Sequence, residues 1–237
     1  MEIHHPDKPI NNWRDFFIHM GTVGAGLLLA FAFERSVEAV HHRNQVHELH
    51  EALRRDSENA MTQTIRLDDL ESQQIKRFST MADQIRTAVA HHQPVPPPPP
   101  ISHGDYDLPN DPAWQAAKTG GLVTLLPPNE LQSYAEIDDT INNVRESWRA
   151  RNEVDRRLNA SLAQFHSGYN NPTPPDYSSA TPEELRQLAL VFYEDVAARR
   201  RLLRMARELH GGELAISHGE LSLARILDSE KHSFDLP

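Results

Sequence analysis

The apolar and polar positions fall into two regimes along the chain. From Phe16 to Phe33 the run FFIHMGTVGAGLLLAFAF carries no formal charge, and His19 is its one strongly polar side chain. At ~1.5 Å per residue it spans about 27 Å, close to the ~30 Å hydrocarbon thickness of a bilayer. This predicts a transmembrane helix over 16–33. A buried core helix is the alternative, but such helices rarely stay apolar all round for five turns. From Glu34 to His92 the pattern changes. This stretch has neither proline nor glycine, and Val46, Leu49, Leu53, Ile75, Phe78, Ala82, Ile85 and Val89 recur at spacings of three and four. Met61, Ile65 and Leu70 carry the stripe less regularly between them. The expected element is a long amphipathic helix of about 90 Å over 34–92, continuous with the anchor. A break near 56–60 fits the pattern equally well. Its stripe needs cover from later helices or a partner chain.

The segment QPVPPPPP (93–100) ends that helix with a polyproline spacer, read as a rigid turn between helices rather than a ligand for an aromatic groove. The linker extends over 93–110. Asp111 and Pro112 then start a short helix through Lys118 with Trp114 inward, and Gly120-Gly121 stops it. A second long helix begins near Asn129. Its stripe is Leu131, Tyr134, Ile141, Val144, Trp148, Leu158, Leu162 and Phe165, with the polar interval Arg149–Arg157 projecting into solvent. After a polar turn, Thr181 and Glu184 form a capping box. The third long helix runs through Leu185, Leu188, Phe192, Val196, Leu203 and Ala206 to His210, ending at Gly211-Gly212. A last short helix covers about 219–229. No strand alternation appears, so the expected fold is all-α. It comprises an arm (1–15), the anchor (16–33), the long helix (34–92), the linker (93–110) and a helical domain (111–237) packed on 34–92.

The flanks refine the reading of the anchor. Pro6 and Pro9 keep the arm extended, Asn11 or Asn12 can cap the helix, and Trp13 suits the headgroup level. Glu34-Arg35-Ser36 follows the run in place of a small-residue cleavage site, so the span reads as a retained signal anchor. Thr22, Gly26 and Ala30 lie four apart on one face, a small-xxx-small pattern for a helix contact in the membrane. His19 reads as an interfacial residue. Lys8 and Arg14 before the span balance Arg35 and Arg43 after it. The short arm assigns a cytoplasmic N-terminus and a periplasmic domain in a bacterial inner membrane.

Two stretches resemble a family of uncharacterised bacterial single-span membrane proteins. One is Ile3-His4-His5-Pro6, Pro9-Ile10-Asn11-Asn12-Trp13-Arg14-Asp15-Phe16-Phe17-Ile18-His19 and Gly26-Leu27-Leu28-Leu29-Ala30-Phe31-Ala32-Phe33-Glu34. The other is DPAWQAAKTGGLVTLLPPNELQSYAEI (111–137). The resemblance covers about half the chain. It implies membrane location and a helical extramembrane domain, and it supplies no reaction.

Composition narrows the function. The net charge of −10 argues against general nucleic-acid binding, which needs surplus Lys and Arg. With no cysteine, disulfides, thiolate zinc sites and iron–sulfur clusters are excluded. Among 14 histidines, His41, His42, His47 and His50 cluster after the span. His47, His50 and Glu51 share one helical face and form a candidate metal site completed from elsewhere. The order HELHE is not HExxH, and His91-His92 suits a helix C-terminus. Arg200, Arg204 and Arg207 form a row for an acidic partner or anionic lipid, with an internally paired face as the plainer reading. Lys118-Thr119-Gly120 lacks the companion motifs of penicillin-binding enzymes. No cofactor is expected. The sequence therefore reads as a non-enzymatic, membrane-anchored helical protein. Its expected role is scaffold or accessory subunit of a larger membrane assembly, respiratory or photosynthetic for example. It would contact other membrane subunits, lipid or a second copy through the anchor and long helix. The alternative is a juxtamembrane histidine-based metal-binding or pH-sensing protein.

Overall fold

The structure is a computed structural model that describes residues 13–97, 107–165, 175–219 and 221–232. Among these the fold is all-α, with no strand. The helices are α1 (Trp13–His91), α2 (Pro112–Gly120), α3 (Pro128–Ala163), α4 (Pro182–Ser217) and α5 (Leu223–His232), with a 3-10 turn at Leu122–Leu125. Two compact units divide the chain, Met1–Glu48 and Leu49–Pro237.

The described part of the first unit is the start of α1. An 18-residue window there has a mean hydropathy of 1.9 with none of it buried, so the helix is long and apolar enough to cross a membrane. Trp13, Leu28 and Phe33 are each more than 70% exposed. Hydroxyls within and just beyond the run turn back onto their own helix: Thr22 Oγ1 donates to the Ile18 carbonyl (2.8 Å) and Ser36 Oγ to that of Ala32 (2.7 Å).

In the second unit α1 shows no break at 56–60; with no proline or glycine to interrupt it, the helix runs on to His91, and His92 leaves it at a φ of 52°. Its buried positions include Leu53, Ser57, Ala60, Thr64, Leu67, Glu71, Gln74, Phe78, Met81, Ile85 and Ala88, alternating by four and three, with Leu49 and Ala82 buried beside them. That spacing keeps one face toward neighbouring helices along many turns. One expected bridging position is corrected: Ile65 is exposed, Met61 and Leu70 are half-buried, and the stripe crosses 57–74 through Leu67 among small and polar residues.

Polar contacts fix the topology. Thr64 meets His210, Asp68 meets Arg207, Glu71 meets Arg199 and Asp83 meets Tyr193, so α4 runs antiparallel to α1. His50 meets Glu130 and Glu71 meets Arg151, so α3 runs parallel to α1. Arg157 meets Glu194 and Asp155 meets Arg199, which sets α3 antiparallel to α4. A parallel pair needs a return connection. Pro94 and Pro96 line a groove with Thr80, Asp83 and Gln84, and Pro97 lines one with Gln73, Lys76 and Arg77. The described part of the spacer thus lies back along α1. Pro98–Pro100 fall outside the described residues, as do Pro6, Pro9, Asn11 and Asn12.

One end of the bundle is apolar, with Phe78, Met81 and Ile85 packed on Leu158, Leu162, Phe165, Leu188 and Phe192. Helix boundaries follow local chemistry. Pro112 opens α2, and Gly121 closes it at a φ of 75°, a conformation glycine adopts freely. Thr181 and Glu184 form the expected capping box: the Glu184 N–H donates to Thr181 Oγ1 (3.3 Å) and the Thr181 N–H to Glu184 Oε2 (2.8 Å). The expected stop at Gly211-Gly212 is corrected. α4 continues to Ser217 with both glycines buried, and Ser229 Oγ of α5 donates to the Gly211 carbonyl (2.7 Å). Both glycines therefore lie inside the helix rather than at its end.

Candidate functional site: a buried ionic layer and an acidic chamber

The stripes of the three long helices carry charge at positions where periodicity calls for apolar residues. On α4 the row Phe192, Val196, Arg199, Leu203, Ala206 places Arg199 at the centre of the bundle. On α3 the row Val144, Ser147, Arg151, Asp155, Leu158 adds two more charges, and α1 contributes Glu71 between Leu67 and Phe78. These residues assemble one layer. Arg199 is fully buried and donates to three carboxylates: Nη1 to Glu71 (2.8 Å), Nη2 to Asp155 (2.9 Å) and Nε to Asp195 (2.5 Å). Its guanidinium also lies 5.0 Å from the Phe78 ring centroid. Arg151 reaches the second oxygen of Glu71 at 3.2 Å and donates to the Asn152 side chain.

Among the described residues three carboxyls and two guanidiniums meet in this layer. Burial pushes the Asp195 carboxyl up against the pull of Arg199, and its Oδ1 has no hydrogen-bond partner among the described residues. For Arg199, burial works against the charged form, but the carboxylates of Glu71 and Asp195 outweigh it and raise its pKa.

A second polar site lies between α1, α2, α3 and α4. Glu213 continues the α4 stripe between Leu209 and Ile216 and is 3% exposed. It lines a cavity of about 20 Å³ together with Asp56, Ser57, Asp111, Trp114 and Tyr134. Asp56 Oδ2 accepts the Ala113 N–H (2.7 Å) at the first turn of α2. Asp138 takes Gln115 Nε2 (2.9 Å) and Lys118 Nζ (2.6 Å), tying α2 to α3. Asp111 precedes α2 but makes no side-chain cap bond; its Oδ2 accepts from Gln115 Nε2 (3.0 Å). Burial pushes the Glu213 carboxyl up to about 7, opposed by a hydrogen bond from Ser57 and reinforced by Asp111 and Asp56. Burial likewise raises Asp56 and Asp111. Burial, then the charges of Glu130 and Glu213, raise the Tyr134 phenol.

The residues singled out from sequence are dispersed. His47 and Glu51 are exposed, while His50 Nε2 is engaged 2.7 Å from Glu130 Oε2. Among the described residues no group of three or more His, Asp or Glu side chains is placed to hold a metal ion. His41 and His42 are exposed, with His42 4.0 Å from Glu38. Trp13 packs edge-on against Phe17 (4.7 Å), and His19, Gly26 and Ala30 are exposed. Arg207 pairs with Asp68 at 2.6 Å, whereas Arg200 and Arg204 are exposed. The row of three arginines therefore divides between an internal pair and a solvated face. The expectation that Arg149–Arg157 projects into solvent is corrected: Arg151 and Asp155 are buried in the ionic layer. Sequence reasoning missed Arg199, Asp195, Glu71 and Glu213. The available signal was register, since each lies three or four positions from an apolar stripe residue. The chain matches no family model, no curated protein and no solved structure.

Proposed function

We propose that this chain is a single-span protein of a bacterial inner membrane whose helical domain serves, without chemistry of its own, as a scaffold or accessory subunit of a larger membrane assembly. The N-terminal arm is cytoplasmic in this reading and the bundle periplasmic. The observation that carries it is the start of α1, where Phe16, Phe17, Val23, Leu27, Leu28, Phe31 and Phe33 are all exposed around the helix. Apolar surface on every side of a helix asks for lipid or apolar partner helices, not water. Thr22, Gly26 and Ala30 offer a close-approach face to such a helix.

The test is purification of the full chain from native membranes in mild detergent, followed by mass spectrometry of the intact particle. The expected result is resistance to alkaline extraction and a particle of fixed stoichiometry containing further subunits. A lone monomer would overturn the accessory role, and release by alkali would overturn the anchor. Protease accessibility in spheroplasts reads the orientation; cleavage of the bundle from outside is expected.

A further inference from the structure

We propose that the chamber around Glu213 is a proton-operated latch: while the Glu213 carboxyl holds its proton α2 stays docked, and loss of that proton releases it. The geometry carries the argument. Glu213 enters from α4, is 3% exposed, and its Oε2 has no hydrogen-bond partner among the described residues. The facing acids are Asp56 from α1 and Asp111 from the start of α2, whose buried Oδ1 has no hydrogen-bond partner among the described residues. Among the described residues no cation lines the cavity. Arg55 acts on Asp56, and Arg145 stands 3.6 Å from Asp111 Oδ1. α3 presents Tyr134, with Glu130 and the Lys118-bound Asp138 nearby. On α4, His210 lies one turn earlier and faces Thr64 and Asp68. On α5, Arg225 and Asp228 are exposed.

Ionising Glu213 would place a third carboxylate beside two others in a space of about 20 Å³, room for about one water. One water cannot hydrate that charge, so an element must move. The short one yields. α2 has nine residues and buries only Trp114 and Ala117, whereas α1, α3 and α4 are held along many turns. Its first turn is tied to Asp56, an acid that ionised Glu213 would repel. The burial that pushes Glu213 up to about 7 puts release near neutral pH.

Trp114 reports the docking, with its ring 5.7 Å from Tyr134. The chain has three tryptophans, so Trp13→Phe with Trp148→Phe leaves Trp114 alone. Iodide quenching of this full-length protein in detergent, from pH 5.5 to 8.5, is expected to rise severalfold with a midpoint near 7. In the same background Glu213→Gln and Glu213→Met are expected to stay protected to pH 8.5, and His210→Gln to keep the midpoint. A flat parent profile, the same rise in both uncharged variants, or its loss in His210→Gln would overturn the latch. Circular dichroism at pH 5.5 checks folding. If one uncharged variant loses helix the other decides, and loss in both also overturns the latch, because an uncharged group must be tolerated there.

Discussion

Arg199 is held by what surrounds it rather than by what it excludes. Three carboxylates and the Phe78 ring face its guanidinium, and taking them out of water is repaid only while the arrangement is complete. Removing the cation alone strips Glu71, Asp155 and Asp195 of the guanidinium they share. Arg199→Ala is therefore expected to cost about 3–5 kcal/mol of unfolding free energy, read from denaturant unfolding monitored by circular dichroism. Replacing the whole layer with apolar residues of similar size is expected to restore stability to within about 1–2 kcal/mol of the parent. If the single variant costs under about 1 kcal/mol, the layer is not what the geometry says. Such residues are hard to find by composition, because Arg199 sits among Arg200, Arg201 and Arg204 on the same helix. Only the register separates the buried arginine from its solvated neighbours.

Helices were the most legible level, and their ends the least. The stripes of α1, α3 and α4 could be read because apolar side chains at three- and four-residue spacing have one way to leave water. The capping box was legible too, since its two bonds lie within four residues. Thr181→Ala is expected to cost about 1 kcal/mol, visible as a small drop in the unfolding midpoint; no change would mean α4 needs no cap. Two readings failed for a shared reason. Arg149–Arg157 and Gly211-Gly212 were judged on local chemistry, and distant segments decide both. Glu71 and Arg199 cover the first, and Ser229 covers the second.

At the scale of the molecule, the buried acids give stability an unusual slope with pH. Glu213 binds its proton more tightly folded than unfolded, being raised from 4.5 to about 7. Its contribution is thus fully present below about 4.5 and lost as pH rises through about 7. Its size is about 3 kcal/mol. Burial lowers His210, which works the other way: its contribution is present above its ordinary 6.5 and lost as pH falls. Comparing unfolding midpoints at pH 5.5 and 8 should show Glu213→Gln flattening the decline with pH and His210→Gln steepening it. A parent more stable at pH 8 than at 5.5 would reverse the assignment.

The chain distance between α1 and α4 also sets an order in time. Glu71 waits for Arg199, 128 residues later, and Thr64 for His210, 146 residues later. At about 5–20 residues per second, a ribosome takes roughly 6–26 s to make the chain between Glu71 and Arg199. Through that interval the apolar start of α1 has already been made, while the inward face of α1 has no α4 to cover it. In a nascent chain of this design the apolar start of α1 is therefore made well before the bundle can close, and the inward face of α1 stays uncovered until α4 has been synthesised.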